Sequence, residues 1–331
     1  MPSLYIREIE DGIMKNILLI NPTIRPVGVE LLKKECNVFF APDGEEDTLI
    51  EYINKHSVEA VLTRVEKITR NIIESCKGLK VIGQHGVGLD NIDVAAASEN
   101  GVLVLNVPDA NYISVAEHAM MFILALSRRL LMADSSVRNG NWKFRETNIP
   151  MEVADKNLLI VGLGRIGRDV AKKAQAFNMK VMAYDVFVDA DTMNSLGITK
   201  AESLEQGLGE ADFISVHAPL TSETRGMISA EQFKLMKKTA CIINLGRGPV
   251  INEEALISAL KSNEIAGAGL DVLELEPPDE GNLLFDFSSV ILTPHFGGDT
   301  AEAKDRCSTI LARTAIDALN GSKPYNAVNF K

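Results

Sequence analysis

The stretch NLLIVGLGRIGRDVAKKA, residues 157–174, places a glycine-rich turn between an apolar run and a helical pattern. Its glycines, Gly162, Gly164 and Gly167, follow the spacing G-x-G-x-x-G. In such a turn the first glycine permits a tight bend, the second lets a pyrophosphate approach the backbone, and the third lets the helix pack closely on the strand. The free N–H groups at the start of the helix then bind the anion. The stretch therefore predicts a Rossmann-type domain that binds a dinucleotide.

An acidic residue at the end of the next strand strengthens this prediction. Asp185 ends the run KVMAYD and lies 23 residues after Gly162 (185 − 162). A carboxylate in this place accepts hydrogen bonds from the ribose hydroxyls of adenosine and repels a 2′-phosphate. The residues that follow, VFVDAD, contain no arginine that would reverse the preference. The sequence predicts NAD rather than NADP as the cofactor.

Short β-rich runs alternate with helical patterns along the chain, which is typical of parallel, doubly wound sheets. Such runs form one series before residue 110 and a second series, of about six strands, from residue 157 onward. Between them, residues 114–138 predict one long helix headed by an S-x-x-E capping box of Ser114 and Glu117. Its apolar run AMMFILAL predicts burial between domains or at a subunit interface. The last helix is predicted from Thr300 to Asn320, with Gly321 as its stop, and should pack back on the first domain.

Composition excludes several classes of protein. A chain of 331 residues with 46% apolar residues is long enough for two globular domains. Its net charge of −11, without a block of Lys or Arg, argues against binding to nucleic acid or to an anionic membrane. AMMFILAL is much shorter than the roughly 20 residues of a membrane span. The first thirteen residues lack the organisation of a signal peptide and are interpreted as a tail. The four cysteines form no CxxC pair, which favours reduced thiols in a cytoplasmic protein.

Three polar residues follow predicted strands near the C-terminal end of the second series: Arg247, Glu276 and His295. Open α/β sheets bind ligands at this edge. Each residue alone is compatible with a surface charge or a turn, but their shared location favours a site. A histidine has a pKa suited to proton transfer near neutrality, and an arginine can grip a carboxylate through two parallel hydrogen bonds. A carboxylate beside the imidazole would orient it and stabilise its charged form.

A series of motifs in a fixed order now identifies a family resemblance. They are HGVGLDNID, NVPDANYISVAEH, GLGRIG, HAPLTSETRGMI, NLGRGPVINEEAL, GAGLDVLELEP and TPHFGG. With Asp185, this set resembles the D-2-hydroxyacid dehydrogenases, a family that includes phosphoglycerate, glycerate (hydroxypyruvate reductase) and D-lactate dehydrogenases. The resemblance implies a Rossmann NAD-binding domain of residues 110–296. It also implies a smaller, flavodoxin-like substrate domain formed by residues 1–109 and 297–331. Members are commonly homodimers joined through the region of residues 114–142.

The resemblance also implies roles for individual residues. Arg247 corresponds to the family's substrate-binding arginine, Glu276 to its supporting glutamate, and His295 to its acid/base histidine. Further substrate contacts are expected from Arg64, Val87 and Gly88. Cofactor contacts are expected from Gly162, Gly164, Arg165, Ile166, Gly167, Asp185, His217, Pro219, Leu245, Gly246, Asp271 and Gly298. No metal is expected, because the side chains of Asp90 and Asp93 in DNID are too few oxygen ligands for calcium.

Several alternatives stay open. Arg64 matches a position used by phosphoglycerate-type enzymes, but Gln84 stands where such enzymes often place an arginine. The candidate substrates are therefore hydroxypyruvate or glyoxylate on one side and 3-phosphoglycerate on the other. His217 could serve the cofactor or the fold, His85 could shape the substrate pocket or cap a strand, and His118 is interpreted as structural. An NAD(H)-sensing, protein-binding corepressor of the same fold is the alternative function.

Overall fold

The computed structural model describes residues 14–20 and 24–330, so the tail predicted for the first thirteen residues lies outside the described residues. The strands and helices, in chain order, are β1 Lys15–Leu19, α1 Pro26–Lys33, β2 Cys36–Phe40, α2 Glu46–Lys55, β3 Ala60–Thr63, α3 Arg70–Ser75, β4 Val81–Gln84, α4 Val94–Glu99, β5 Leu103–Leu105, α5 Tyr112–Ser127, α6 Leu130–Arg138, α7 Phe144–Thr147, β6 Asn157–Val161, α8 Arg165–Ala176, β7 Lys180–Tyr184, α9 Ala190–Ser195, β8 Thr199–Lys200, α10 Leu204–Glu210, β9 Phe213–Val216, α11 Ala230–Leu235, β10 Cys241–Asn244, α12 Glu253–Lys261, β11 Gly267–Leu270, β12 Val290–Leu292 and α13 Ala301–Leu319. The chain divides into two compact units, Met1–Asn111 with Thr300–Lys331, and Tyr112–Asp299.

The first unit contains a five-stranded parallel sheet in the order β2-β1-β3-β4-β5, which is the flavodoxin-like order. Side chains of β1 and of Ile20, which follows it, alternate between two apolar cores: Ile17 and Leu19 face one, Leu18 and Ile20 the other. Both faces of the sheet are therefore covered, as parallel sheets require. Helix α13 contributes Leu311 to the core on the side of Ile17. Helix α13 is thus part of this unit, although it follows the second unit in sequence.

The second unit contains a seven-stranded parallel sheet in the order β12-β11-β10-β9-β6-β7-β8. The sequence had predicted about six strands, and the additional one is the two-residue edge strand β8, which pairs with β7. Strands β10, β11 and β12 are neighbours, so the turns that follow them lie side by side at one edge of the sheet. Together the two parallel sheets confirm the predicted α/β fold class.

The prediction of one long helix over residues 114–138 was wrong. The chain forms α5 and α6, separated at Arg129, which has the left-handed φ of 50°. The capping box was also misplaced, because α5 begins at Tyr112 and Ser114 therefore lies inside its first turn. Phe122 and Ile123 of the apolar run are fully buried in the core of the second unit itself.

The last helix agrees with its prediction. The Thr300 side chain accepts the N–H of Ala303 and caps α13, and Gly321 follows the helix with a φ of 83°. Across the described ranges, no helix is both long and apolar enough to span a membrane.

Candidate active site

The glycine-rich turn between β6 and α8 has the geometry that a dinucleotide needs. Gly162 has a φ of 95°, and a Cβ there would lie 2.8 Å from the backbone nitrogen of Ala218. A Cβ on Gly167 would clash with the carbonyl oxygen of Gly162. Gly164 differs, because its φ is −73° and a Cβ would meet no atom within 4 Å. The fold therefore requires the first and third glycines, whereas the second leaves open space where a pyrophosphate could approach the backbone.

Asp185 lies beside this turn at the end of β7. Its carboxylate accepts the N–H of Leu163 at 2.7 Å and that of Phe187 at 2.8 Å. These bonds tie the strand end to the glycine-rich turn. The N–H of Val188 also donates to this carboxylate, at 3.2 Å. Because an ionised carboxylate offers about four acceptor sites, Asp185 retains capacity for one ribose hydroxyl. Asp185 and the turn together fit the adenosine and pyrophosphate parts of NAD.

Arg247, Glu276 and His295 follow β10, β11 and β12, the three neighbouring strands at one side of the sheet. The Nδ1 atom of His295 lies 2.7 Å from Oε2 of Glu276. The other carboxylate oxygen of Glu276 accepts the N–H of Leu273 at 3.0 Å. The glutamate is therefore held by its own turn and in turn holds one nitrogen of the imidazole.

The electrostatics of the pair follow from this contact. The hydrogen bond to Glu276 raises the pKa of His295; burial opposes the shift, and the charges of Glu276 and Asp271 reinforce it. Burial acts to raise the pKa of Glu276, but the hydrogen bond and charge of His295, with smaller effects of Leu273 and Arg247, lower it overall. The charge of Arg247 opposes the upward shift, because it acts to lower the pKa of His295. The arrangement favours an ionised carboxylate beside an imidazole that holds its proton more tightly than a free histidine.

The turn that carries His295 is held by Asp271, the residue after β11. The backbone of His295 is left-handed, with a φ of 49°, and its N–H donates to the carbonyl of Asp271 at 2.8 Å. The Asp271 carboxylate accepts the N–H groups of Phe296 and Gly297 and the hydroxyl of Thr293, at 3.0, 2.9 and 2.6 Å. Asp271 is 4% exposed. Its carboxylate thus organises the turn, in addition to any contact with the cofactor.

His118 supports the same turn from α5. Its Nε2 lies 3.1 Å from the hydroxyl of Thr293, and its ring packs edge-on against Phe122 and Phe296. Burial lowers the pKa of His118, although the charge of Asp271 opposes the shift. No local sequence pattern predicts the Thr293 contact, since His118 and Thr293 are 175 residues apart.

The other expected cofactor residues of the second unit lie around the glycine-rich turn or the neighbouring strand ends. His217 bonds Ser215 through Nε2 at 2.8 Å, while its Nδ1 is buried and lacks a hydrogen-bond partner among the described residues. Burial lowers the pKa of His217 to about 3, so the ring is neutral near pH 7. A buried polar atom without a partner is costly, and a polar group of a ligand would satisfy it. Arg165 and Ile166 open α8, Pro219 follows β9, Leu245 and Gly246 follow β10, and Gly298 follows the His295 turn.

In the first unit, Arg64 follows β3, and Val87 and Gly88 follow the neighbouring strand β4. Gln84 is 5% exposed and donates to the carbonyl of Arg64 at 2.7 Å, so its side chain is not directed at a substrate. It supports the Arg64 loop instead. His85 is also 5% exposed and bonds the hydroxyl of Ser308 at 2.9 Å, which gives it a packing role within the unit.

The DNID segment has a structural use, since the side chain of Asp93 caps α4 by accepting the N–H of Ala96. In the part of the chain that the structure describes, no group of three His, Cys, Asp or Glu side chains is arranged to hold a metal ion.

A seven-stranded parallel sheet with a glycine-rich turn before α8 and an acid after β7 defines a Rossmann-type nucleotide-binding domain. Comparison with known families agrees. Residues 120–297 match the family described as D-isomer specific 2-hydroxyacid dehydrogenase, NAD binding domain. The chain belongs to this family, and these residues are its NAD-binding domain.

Known relatives are similar over nearly the whole chain. A D-3-phosphoglycerate dehydrogenase of Methanocaldococcus jannaschii is 41% identical over 96% of this chain and 60% of its own length. Among solved structures, a protein of Thermus thermophilus is 30% identical with a TM-score of 0.86, covering 95% of this chain and 99% of its own. A D-mandelate dehydrogenase of Rhodotorula graminis is 29% identical with a TM-score of 0.87, covering 96% and 98%. This chain spans 50 to 60% of the length of the phosphoglycerate dehydrogenases it matches.

Proposed function

We propose that the protein is an NAD-dependent dehydrogenase that interconverts a D-2-hydroxy acid and its 2-keto acid. The observation that carries this proposal is the 2.7 Å contact between His295 Nδ1 and Glu276 Oε2, on turns next to the one that carries Arg247. A histidine held by a carboxylate, with a cation beside it, is the equipment needed to move a proton on a carboxylate-bearing substrate.

The residues divide the chemistry as follows. Bound NAD(H) supplies or accepts the hydride. In keto-acid reduction, His295 donates a proton from Nε2 to the oxygen on which negative charge develops. Glu276 accepts a hydrogen bond from Nδ1, which fixes the ring orientation and favours the protonated form. Arg247 binds the substrate carboxylate through its planar guanidinium and so aligns the keto carbon.

Two features support narrower choices of cofactor and substrate. Asp185 would face the 2′-phosphate of NADPH with a like charge, so we propose that NADH is preferred. The similarity to phosphoglycerate dehydrogenases supports 3-phosphoglycerate as the first substrate to test, with Arg64 as a cation for its phosphate. Hydroxypyruvate and glyoxylate are the other candidates.

The test is a panel of 2-keto acids assayed for oxidation of NADH and of NADPH. The panel contains phosphohydroxypyruvate, hydroxypyruvate, glyoxylate, pyruvate and phenylpyruvate. His295→Asn is the matched variant, because asparagine tolerates the left-handed backbone of this position and cannot act as the acid. We expect turnover by the unmodified protein, and loss of turnover with NADH binding retained in the variant. Binding of NADH without reduction of any keto acid would contradict the proposal and favour an NAD(H)-sensing protein.

We further propose that the protein is a cytoplasmic homodimer. Helix α6 contributes no buried residue, and apolar side chains that are more than half exposed are concentrated after α5. Five of them lie within residues 130–149: Leu130, Leu131, Val137, Trp142 and Ile149. Large exposed apolar patches mark interaction surfaces.

A further inference from the structure

The turn that presents Arg247 is closed by the side chain of Asn244, the last residue of β10. Asn244 is 1% exposed. Its Oδ1 accepts the N–H of Gly246 at 3.0 Å, and its Nδ2 donates to the carbonyl of Arg247 at 3.1 Å. Both halves of the amide are therefore used within one turn. They fix the peptide that precedes Gly246 and the peptide that follows Arg247.

Between these two peptides lies the one that joins Gly246 to Arg247. Its carbonyl, on Gly246, accepts a hydrogen bond from Nη1 of Arg247 at 2.9 Å. The guanidinium is thus anchored to a peptide whose neighbours on both sides are held by Asn244. Rotation of either neighbour would tilt this carbonyl and redirect the guanidinium.

Backbone packing fixes where the turn lies. A Cβ on Gly246 would come within 2.8 Å of the Ala218 carbonyl oxygen, and a Cβ on Gly248 would clash with the carbonyl of Leu273. These contacts place the turn between two other loops, but they do not determine which way its peptides face. The Asn244 amide supplies that second constraint. Aspartate lacks the donor, leucine lacks both groups, and glutamine is longer by one methylene.

We propose that Asn244 is a positioning residue, whose amide holds the 244–247 turn in the shape that presents the Arg247 guanidinium to the substrate carboxylate. The proposal rests on the function proposed for Arg247 above.

The test is a double-mutant cycle of Asn244→Ala with Arg247→Lys. A misdirected guanidinium should lower kcat/KM for the keto acid by about 10- to 100-fold in Asn244→Ala. The NADH dissociation constant and the pH limbs of His295 should stay unchanged. In the Arg247→Lys background the same substitution should cost much less, because the planar fork that it positions is already absent. An equal loss in both backgrounds, or no loss in the first, would overturn the proposal.

Two further variants distinguish the loss of positioning from a folding defect and from the effect of an added charge. Asn244→Asp keeps the acceptor for Gly246 but sets a carboxylate against the carbonyl of Arg247, so it should also lose kcat/KM. Asn252→Asp adds the same charge at a helix N-cap, where aspartate caps as well as asparagine, and should behave like the unmodified protein. If Asn244→Ala does not fold, wild-type kcat/KM in Asn244→Asp overturns the proposal.

The roles proposed for Arg247 and for Asn244 can be tested separately. If Arg247→Lys itself retains full kcat/KM on every keto acid that is accepted, the role of Arg247 in the proposed function is wrong. If Arg247→Lys is impaired while both Asn244 variants are not, only the positioning role of Asn244 is wrong.

Discussion

His295 is constrained on both its backbone and its side chain. Its φ of 49° is uncommon for a residue with a Cβ, and three consecutive N–H groups of its turn donate to Asp271. The side chain is fixed separately by Glu276. A histidine whose backbone and side chain are both held needs little reorganisation when a proton moves. Supporting contacts of this kind preorganise a catalytic site.

Replacing Glu276 with glutamine should shift the pH dependence of both reaction directions downward. The hydrogen bond and charge of Glu276 raise the pKa of His295, so removing the charge lowers it. Reduction starts from the protonated ring, and its alkaline limb should therefore move to lower pH. Oxidation starts from the neutral ring, and its acidic limb should move in the same direction. The measurement is kcat/KM against pH for both directions.

Isotope effects on the rate provide the control for the Glu276→Gln profiles, because they show that hydride transfer limits it. NADH deuterated at the transferred position serves for reduction, and hydroxy acid deuterated at C2 serves for oxidation. If transfer is limiting and neither limb moves downward, Glu276 is not coupled electrostatically to His295. The residue would then serve only to shape the turn after β11.

Residue types and their order predicted where Arg247, Glu276 and His295 lie, since each follows an apolar run that became a strand. The supporting contacts were not predictable in this way. Asn244 opens the motif NLGRGPVINEEAL, but the motif does not indicate what its side chain contacts. The partners of Asp271 and His118 depend on which strand ends the sheet brings together. Hydrogen bonds between residues distant in sequence are set by tertiary structure, whereas strand ends are set locally.

At the scale of elements, periodicity predicted most strands and the last helix. It failed where the backbone leaves a regular conformation although no glycine or proline marks the position. Arg129 has a left-handed conformation that ends the helix, and its sequence context, LSRRLL, does not predict a break there. Strand β8 is too short for a β-propensity signal. Both misses arise because short or irregular elements depend on packing more than on intrinsic preference.

Two glycines of the glycine-rich turn are expected to respond differently to the same change, the addition of a methyl group. Gly167→Ala should destabilise the protein by about 1–3 kcal/mol, because the added methyl group forces α8 away from Gly162. Gly164→Ala has open space and an allowed φ, so stability should be unchanged or rise by about 0.4–1 kcal/mol. Its affinity for NADH should nevertheless fall, since the methyl group would occupy the approach to the pyrophosphate.

Thermal unfolding without cofactor and titration of NADH fluorescence measure these two effects, and each variant is the control for the other. Wild-type affinity in Gly164→Ala would mean that the pyrophosphate does not lie over this glycine. Wild-type stability in Gly167→Ala would mean that α8 moves away from β6 without lowering the free energy of unfolding.

At the scale of the whole molecule, the chain returns to its first unit after leaving it. Besides α13, residues near the C-terminus line the edge strand β5. The N–H of Val104 donates to the Asn329 side chain at 2.8 Å, and Ala327 bridges Leu105. The sequence order of strands and helices alone suggests a simple division into two halves. A discontinuous unit was indicated by the last helix, which was expected to pack back on the first domain, and by the family resemblance. The edge pairing was not predicted, because so short a segment leaves no periodic signal.

Helix α6 allows the proposed dimer to be tested. Helix α6 has nine residues and none of them is buried, yet its sequence LLMADSSVR contains Leu130, Leu131 and Val137. An isolated helix of this length is marginal in water, so burial of its apolar side chains against a partner would stabilise it. We therefore expect a dimer for the unmodified protein and a monomer for Leu131→Glu, because a buried unpaired charge strongly disfavours association. Light scattering coupled to size exclusion measures both masses. Phe40→Glu is the matched control: it places the same charge on an exposed apolar residue of the edge strand β2 and should leave the dimer intact. A monomeric unmodified protein, or a Leu131→Glu variant that remains dimeric, would exclude α6 as the interface, and α6 would then have to be stable without a partner.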